Sequence, residues 1–234
     1  MQRYTAVICD LFGTLVPNHG AMAARAVLSS MANRLGVAED PFISMWQGAM
    51  WDRRATGQVR CAAECAAEIL HALGAAASAS DLEDVSSVYR RFVQDGLVPY
   101  PGVVETLSKV RARGVRVGLL TDCSTETADH WEFTALAPLV DATVFSCRAG
   151  IRKPHPRLFQ LAGEALGAED GKTLYLGDGG SDELNGAVKA GLDAVQIVWT
   201  LEDDDTARLV KRTAWLGPKI SAIEELVDTI WPVV

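Results

Sequence analysis

The chain has no run of about 20 apolar residues, the length that a membrane-crossing helix needs, so we predict no membrane partner. It is also poor in basic residues, with 22 lysines and arginines against 30 aspartates and glutamates and a net charge of −8. A nucleic-acid surface needs a basic face, so this balance argues against nucleic acid as a partner. Residues Met1 to Tyr4 lead into an apolar run without a signal-peptide pattern, and we therefore expect a cytoplasmic protein.

Cysteine is scarce and forms no recognisable metal-binding or disulfide pattern. The five cysteines are odd in number, and none makes a C-x-x-C pair. Cys61 and Cys65 lie four residues apart, but no histidine or second cysteine pair completes a zinc set with them. We interpret all five as reduced thiols, which fits a cytoplasmic protein.

Apolar sequence is abundant and is arranged in short runs. Hydrophobic residues make up 49% of the 234 residues, enough for a sizeable core in one large domain or two unequal ones. Runs rich in valine, isoleucine and leucine alternate with helical patterns, as in folds with a parallel sheet. The predicted strands are Thr5–Cys9, Arg116–Leu120, Ala142–Phe145, Thr173–Leu176 and Ala194–Trp199. The sequence therefore predicts an α/β fold with a Rossmann-like parallel-sheet core and helices on both faces.

A long segment between the first two predicted strands has no strand signal, and its apolar residues recur at helical spacing. Turn-forming residues at Pro17–Gly20 and Pro99–Gly102 bracket it. The predicted helices are Ala21–Leu35, Pro41–Arg53, Cys61–Leu73 and Asp81–Asp95. We predict that residues 1–16 and 99–234 form the sheet core and that residues 17–98 form a helical cap domain.

Four polar segments follow predicted strands, three of them directly and the third in chain order after a short loop. They are Asp10–Thr14, Thr121–Ser124, Arg152–Pro154 and Gly177–Asp182. Each alone could be a helix cap, an ordinary turn or a surface lysine. A carboxylate at the end of a buried strand is nevertheless costly without a partner or a function. Four such segments in order favour an active site at the carboxyl ends of a parallel sheet.

The residues of these segments suit a cation and an anionic substrate. Asp10, Asp178 and Asp182 offer the oxygen ligands that Mg²⁺ takes together with water and a substrate phosphate. Lys153 offers a compact positive charge that would neutralise a carboxylate pair or a phosphoryl oxygen.

The order of these segments resembles the haloacid dehalogenase-like hydrolase superfamily, in the subgroup with a helical cap between the first and second motifs. The motifs are Asp10–Leu15, Thr121 after Gly118–Leu120, Lys153–Pro156 and Gly177–Asp182. The resemblance covers essentially the whole chain. The four motifs together are highly specific for the superfamily and say little about the substrate.

The resemblance implies a role for each motif residue. Asp10 would be the nucleophile that becomes an aspartyl intermediate, and Thr121 and Lys153 would hold the transferring group and offset its charge. Mg²⁺ would be the cofactor. The metal ligands implied are Asp10, the backbone carbonyl of Phe12, Asp178 and Asp182, the last directly or through water.

Phe12 departs from the family's phosphatase pattern. Most of its phosphatases have a second aspartate at this position, which protonates the leaving group and later activates water. General acid–base help of this kind is typically worth about 10²- to 10⁴-fold in rate. The family's dehalogenases carry an aromatic residue there, because a halide leaves without a proton. They use no metal, however, and lack the Gly–Asp pair that this chain keeps at Gly177 and Asp178.

Three hypotheses follow from these motifs. The leading one is a Mg²⁺-dependent phosphatase of a small organic phosphate, acting through an aspartyl phosphate. Its leaving group would be protonated by substrate, water, Asp122 or a cap residue. The alternatives are a 2-haloacid dehalogenase acting through an aspartyl ester and a non-catalytic ligand-binding protein on the same fold. Asp122 favours the first over the second, because dehalogenases usually have asparagine there and an anion would disfavour a carboxylate substrate.

The helical segment also offers candidates for substrate contact. They are Trp46, Gln47, Trp51, Arg53 and Arg54, with Asp122 from the sheet core. Arginine suits carboxylate or phosphate recognition. Tryptophans on helices are more often core residues, however, and adjacent arginines are often solvated. We interpret the acidic run Glu202–Asp205 as a solvated loop, and the oligomeric state stays open.

Overall fold

The computed structural model describes residues 2–168, 171–199 and 214–232, and the acidic run at 202–205 lies outside them. Its six strands form one parallel sheet in the order β3-β2-β1-β4-β5-β6. The strands are β1 (Ala6–Cys9), β2 (Arg116–Thr121), β3 (Ala142–Phe145), β4 (Thr173–Gly177), β5 (Asp193–Ile197) and β6 (Lys219–Ile220). The five predicted strands are confirmed, and the two-residue edge strand β6 is an addition.

Strand β1 lies at the centre of the sheet and is buried on both faces. Ala6 and Ile8 belong to one apolar cluster, while Val7 and Cys9 belong to another on the opposite face. Alternate side chains of a strand point to opposite faces, so an uninterrupted apolar run is what a central parallel strand requires.

Helices cover both faces of this sheet, which confirms the predicted α/β class. The helices outside residues 17–98 are α6 (Val103–Ala112), α7 (Thr125–His130), α8 (Ser146–Ala149), α9 (Pro156–Leu166), α10 (Glu183–Lys189) and α11 (Glu225–Ile230). Helices α9 and α10 pack with Ile8 and Tyr175 on one face. Helices α6 and α11 pack on the other face, against the cluster that holds Val7.

Residues between β1 and β2 form a separate helical block. Its helices are α1 (Ala21–Arg34), α2 (Glu39–Gln47), α3 (Ala49–Ala55), α4 (Ala62–Ala72) and α5 (Ala79–Asp95). The prediction of one helix over Pro41–Arg53 is wrong, because the chain breaks at Gly48, where φ is −93° and ψ is −108°. A side chain at Gly48 would lie 2.7 Å from the carbonyl oxygen of Ser44. The break separates α2 from α3.

The helical block has an apolar core of its own, and all of that core's buried members lie between Leu28 and Val85. This arrangement agrees with a cap domain, although the boundaries at residues 17 and 98 remain predictions. No helix within the described ranges combines the length and the apolar content that crossing a membrane requires.

Candidate active site

The three central strands of the sheet each carry a polar residue at the carboxyl end. Asp10 follows β1, Thr121 ends β2 and Asp178 follows β4. Strand β1 pairs with β2 on one side and with β4 on the other, so these ends meet at one edge. Asp10 and Asp178 are only 4% and 3% exposed, so both carboxylates are withdrawn from water.

Lys153 joins the carboxylates of this edge into one network. Its Nζ donates to Asp10 Oδ1 at 2.5 Å and to Glu183 Oε2 at 2.5 Å. Its backbone N–H donates to Asp122 Oδ1 at 2.9 Å. The loop before α9 thus brings one buried cation to carboxylates from three separate segments.

Glu183 is a site residue that the sequence reasoning missed. It begins α10 and is fully buried, with Oε2 accepting from Tyr175 at 2.7 Å and Oε1 accepting from the Gly179 N–H at 3.0 Å. A side chain at Gly177 would lie 2.2 Å from Glu183 Oε1, so glycine is required there. The available signal was the position of Glu183, directly after the predicted Asp182.

Carboxylate oxygens of Asp10, Asp178 and Glu183 lie within 4.8 Å of one another, and all three residues are buried. Asp182 is not a member of this group, and its Oδ1 accepts from Asn185 at 2.6 Å. Gly13, at a φ of +77°, lets Asp178 approach, since a side chain there would lie 2.5 Å from Asp178 Oδ2. Three hard oxygen donors in so small a space fit a divalent cation such as Mg²⁺.

Burial and mutual repulsion act on the ionisation of this network. Burial raises the pKa of Asp10 to about 6 and that of Glu183 to about 8. The carboxylate of Asp178 adds to both shifts and that of Asp10 adds to the shift of Glu183, while Lys153 opposes both. Burial alone would lower the pKa of Lys153, but Asp10, Glu183 and Asp122 outweigh it and raise that pKa. A lysine held among carboxylates stays charged, and it is the counter-charge of the site.

Asp122 extends the network towards the helical block. Its Oδ1 accepts from Lys153, whereas its buried Oδ2 has no hydrogen-bond donor and lies 3.5 Å from Arg152 Nε. Arg152 also forms an ion pair with Asp52 on α3. The sequence analysis included Arg152 in a polar segment but gave it no role, and it did not predict this link between the sheet core and the helical block.

A cavity of about 630 Å³ lies between the sheet edge and the helical block. We call its charged side the core wall and define it by five residues. They are Asp10, Asp122, Lys153, Asp178 and Glu183. We call the opposite side the helical wall and define it by six residues. They are Leu28, Trp46, Trp51, Arg54, Tyr89 and Phe92. Thr121 is fully buried and does not line the cavity, and its Oγ1 lies 3.4 Å from the Asp122 carbonyl oxygen.

Phe12 lines the cavity beside His19, with 5.3 Å between the ring centroids. Burial lowers the pKa of His19 to about 4, so its imidazole is neutral near pH 7. His19 had no partner visible in the sequence, and the fold places its ring next to those of Phe12 and Phe92 with tilted planes. This part of the cavity is therefore aromatic and uncharged.

The two adjacent arginines of α3 have different surroundings. Arg54 is 3% exposed and lines the cavity with Trp46, which is 1% exposed. Arg53 is half-exposed, forms an ion pair with Glu68 and is not among the residues that line the cavity. Of the two candidates that the sequence offered, only Arg54 faces the site.

Comparison with known proteins places this geometry in a family. The profile of the haloacid dehalogenase-like hydrolases matches residues 4–191. The chain is 28% identical over 141 residues to a glyceraldehyde 3-phosphate phosphatase from Methanocaldococcus jannaschii, covering 57% of each chain. It is 26% identical over 210 residues to a phosphoglycolate phosphatase from Salmonella typhimurium, covering 85% of this chain and 83% of that one. The match thus spans little more than half of the archaeal relative and most of the bacterial one.

A solved structure with the same fold extends the likeness to the whole chain. The L-2-haloacid dehalogenase of Xanthobacter autotrophicus superposes with a TM-score of 0.63 over 99% of this chain and 100% of its own, at 18% identity. At that identity the likeness concerns the fold, including the helical block between β1 and β2.

Proposed function

The chain belongs to the haloacid dehalogenase-like hydrolases, and on this premise we propose that it is a Mg²⁺-dependent phosphatase of a small organic phosphate. One observation carries the proposal: the buried oxygens of Asp10, Asp178 and Glu183 lie within 4.8 Å of one another. Phosphoryl transfer spreads charge over several oxygens and gains from a cation beside the nucleophile. The names of the two curated relatives, both phosphatases of small molecules, support the same reading.

Asp10 is the nucleophile in this proposal. Its carboxylate attacks phosphorus, the bond from phosphorus to the ester oxygen breaks, and the alcohol leaves with one proton. Water then releases inorganic phosphate and restores Asp10. Lys153, 2.5 Å from Asp10 Oδ1, offsets the negative charge of the transferred group. Thr121 has no role in this proposal, because it does not line the cavity.

Asp10, Asp178 and the backbone carbonyl of Phe12 would hold Mg²⁺. When bound, the metal neutralises charge on the phosphoryl oxygens. Glu183 replaces Asp182 as the third carboxylate of this proposal, because Glu183 is grouped with Asp10 and Asp178 and Asp182 is not. Glu183 also holds Lys153 in place at 2.5 Å.

In this proposal Asp122 carries the proton that the second aspartate of the family's phosphatases would carry at position 12. It lines the cavity, and its buried Oδ2 has no hydrogen-bond donor, so this oxygen is open to a proton of the leaving group or of water. The backbone N–H of Lys153 fixes the other oxygen at 2.9 Å. A positioned carboxylate of this kind performs general acid–base catalysis.

Dehalogenation of a 2-haloacid is the second candidate, and Phe12 favours it. A halide leaves carbon without a proton, so an aromatic residue at this position costs such a reaction nothing. The cluster of three buried carboxylates argues against it, since a departing anion gains nothing from two further negative charges beside the nucleophile. Ligand binding without turnover is the remaining candidate.

A release assay separates the three candidates. The wild-type protein and Asp10→Asn are incubated with a panel of phosphorylated metabolites and with 2-chloropropionate, each in Mg²⁺ and in EDTA. We expect phosphate release in Mg²⁺ alone and only from the wild type. Chloride release in EDTA would establish dehalogenation, and ligand-induced stabilisation with no product would establish binding alone.

A further inference from the structure

Arg54 is a cation buried within the helical wall. Its guanidinium carbon lies 4.6 Å from the ring centroid of Trp46, 5.4 Å from that of Tyr89 and 5.5 Å from that of Trp51. Nη1 donates to the Tyr89 hydroxyl at 2.7 Å, and Nη2 donates to the Trp46 carbonyl at 3.2 Å. These contacts fix the guanidinium in position, and aromatic faces attract a cation without cancelling its charge.

The charge of Arg54 has no ion-pair partner among the residues that the structure describes. Across residues 2–168, 171–199 and 214–232 no carboxylate oxygen lies within 4.0 Å of it, and its buried Nε has no hydrogen-bond acceptor. Glu126 acts on Arg54 through the electrostatic field, but its Oε1 accepts the Ala62 N–H and does not reach the guanidinium. Arginine is almost never buried at this level unless it is paired. Within the described parts of the chain, Arg54 is therefore a fixed positive charge with no carboxylate in contact.

Arg53, the preceding residue, is paired in the ordinary way. Both of its terminal nitrogens reach the carboxylate of Glu68, and its side chain is 40% exposed. Two neighbouring arginines of one helix thus differ in whether the guanidinium is already paired with a carboxylate, which decides whether it is available to an anionic ligand. Arg53 pairs with a carboxylate of the protein, whereas Arg54 has no such partner in residues 2–168, 171–199 and 214–232.

Arg54 lines the same cavity as Asp10, the proposed nucleophile. Arg54 belongs to one side of that cavity, and Asp10 and Lys153 belong to the other. The lining also includes the aromatic rings of Phe12 and Phe92. A volume of about 630 Å³ corresponds to roughly twenty waters at liquid density, which leaves room beyond a two-carbon phosphate.

Building on the proposed function, we propose that the substrate is a phosphate ester whose leaving group carries a second anionic group, a carboxylate or a further phosphate, bound by Arg54. The transferred phosphate lies at the core wall and the second anion at the helical wall. The part of the substrate between them passes along apolar and aromatic side chains. The protein then selects doubly anionic substrates over phosphate esters of neutral alcohols.

Binding of non-hydrolysable phosphonates tests this selection without relying on turnover. Alkyl phosphonates of two to six carbons are prepared in three forms, ending in a carboxylate, a second phosphonate or a hydroxyl. Calorimetric titration of the wild type in Mg²⁺ gives the affinity ratio of each anion-terminated ligand to its hydroxyl partner. We expect a ratio of about 10 to 100 at the best length, the usual worth of hydrogen bonds to a charged group. The terminal group with the larger ratio, carboxylate or phosphonate, identifies the second anion of the substrate.

Two variants of Arg54 and one of Arg53 complete the test. Arg54→Met lowers the ratio to about 1 and leaves affinity for the hydroxyl-terminated ligand within about threefold, and Arg54→Lys gives an intermediate ratio. Arg53→Met, the matched control, keeps the wild-type ratio. If Arg54→Met does not fold, the fall of the affinity ratio in Arg54→Lys tests the proposal instead.

Equal affinity of the wild type for charged and neutral ends would overturn the inference. An equal loss for both ends in the Arg54 variants would also overturn it, because that result indicates a purely structural arginine. A preserved ratio with no phosphate release from any ester would overturn the proposed function and leave the anion site standing.

Discussion

The two walls of the cavity differ in whether their charged side chains form ion pairs within the protein. On the core wall Lys153 lies 2.5 Å from both Asp10 and Glu183, so these charges are paired within the protein. On the helical wall Arg54 is buried among aromatic rings and has no ion-pair partner in the described parts of the chain. Ion pairs within the protein hold the core-wall side chains in place for one reaction. On the helical wall, an anionic group of the ligand would supply the missing partner of Arg54.

This difference divides the energetic roles of the two walls. Substitutions in the core wall are expected to lower turnover of every substrate alike, because they remove groups that act on the transferred phosphate. Substitutions in the helical wall are expected to change which substrate is preferred, because they act on the rest of the molecule. The predictions below test that division, beginning with the largest effect.

Asp10→Asn removes the proposed nucleophile while keeping the shape of the side chain. We expect kcat to fall by about 10⁴-fold or more for all substrates, since loss of a nucleophile removes the covalent route. Steady-state phosphate release measures the loss. Asp129→Asn, which alters an exposed ion pair with Arg148, is the matched control and keeps wild-type turnover. Substantial turnover by Asp10→Asn would assign the nucleophile elsewhere.

Asp178→Asn removes one of the proposed metal ligands. We expect turnover to fall by about 10³-fold, because a bound cation is worth several kcal/mol to the transition state. In the wild type, saturating Mg²⁺ is expected to raise the Tm by about 5 °C or more, and Asp178→Asn abolishes this shift.

The same thermal measurement decides between two adjacent carboxylates. Glu183→Gln is expected to reduce the Mg²⁺-induced rise in Tm, while Asp182→Asn keeps it, because only Glu183 is grouped with Asp10 and Asp178. A rise lost in Asp182→Asn and kept in Glu183→Gln would reverse this assignment.

Asp122→Asn removes the proposed proton carrier. We expect kcat/KM for alkyl phosphates to fall by about 10²-fold, the lower end of what acid–base help is worth. An aryl phosphate with an acidic leaving group needs less protonation, so its loss is smaller. A plot of the loss against leaving-group pKa measures this dependence, and a loss independent of the leaving group would exclude Asp122 as the acid.

Asp52→Asn tests the link between the two walls, and we expect its effect to be the smallest. Asp52 pairs with Arg152, which in turn lies 3.5 Å from Asp122. An exposed pair contributes less than about 1 kcal/mol, so KM should change by less than about fivefold with kcat unchanged. Asp40→Asn, which breaks the exposed pair with Arg25, is the control. A tenfold fall in kcat would make the link part of the catalytic machinery.

The order of the elements could be predicted from the sequence because each central strand is a short apolar run buried on both faces. The run Ala6–Cys9 has this form, and its burial is complete. The single helix predicted over Pro41–Arg53 failed, because periodicity continues across Gly48 while the backbone does not. The short strand β6 carries too few residues for any pattern to be read.

The site residues that follow strands directly could be predicted, and Lys153 could be predicted from its motif. Asp10 and Asp178 were found in this way. Glu183 was not, because consecutive left-handed residues, Ser181 at a φ of 54° and Asp182 at 53°, decide which carboxylate turns inwards. Periodicity likewise could not tell Arg54 from Arg53, since that distinction depends on how α3 packs after the break at Gly48.

The central claim is that Asp10 forms a covalent bond with phosphorus, and chemical trapping tests it most directly. Wild-type protein turning over substrate in Mg²⁺ is quenched with borohydride, which reduces an acyl phosphate to an alcohol, and its peptides are analysed by mass spectrometry. We expect homoserine in place of aspartate at position 10, and none in EDTA or in Asp10→Asn. Homoserine at another aspartate, or phosphate release with aspartate 10 unmodified at every quench time, would contradict the account.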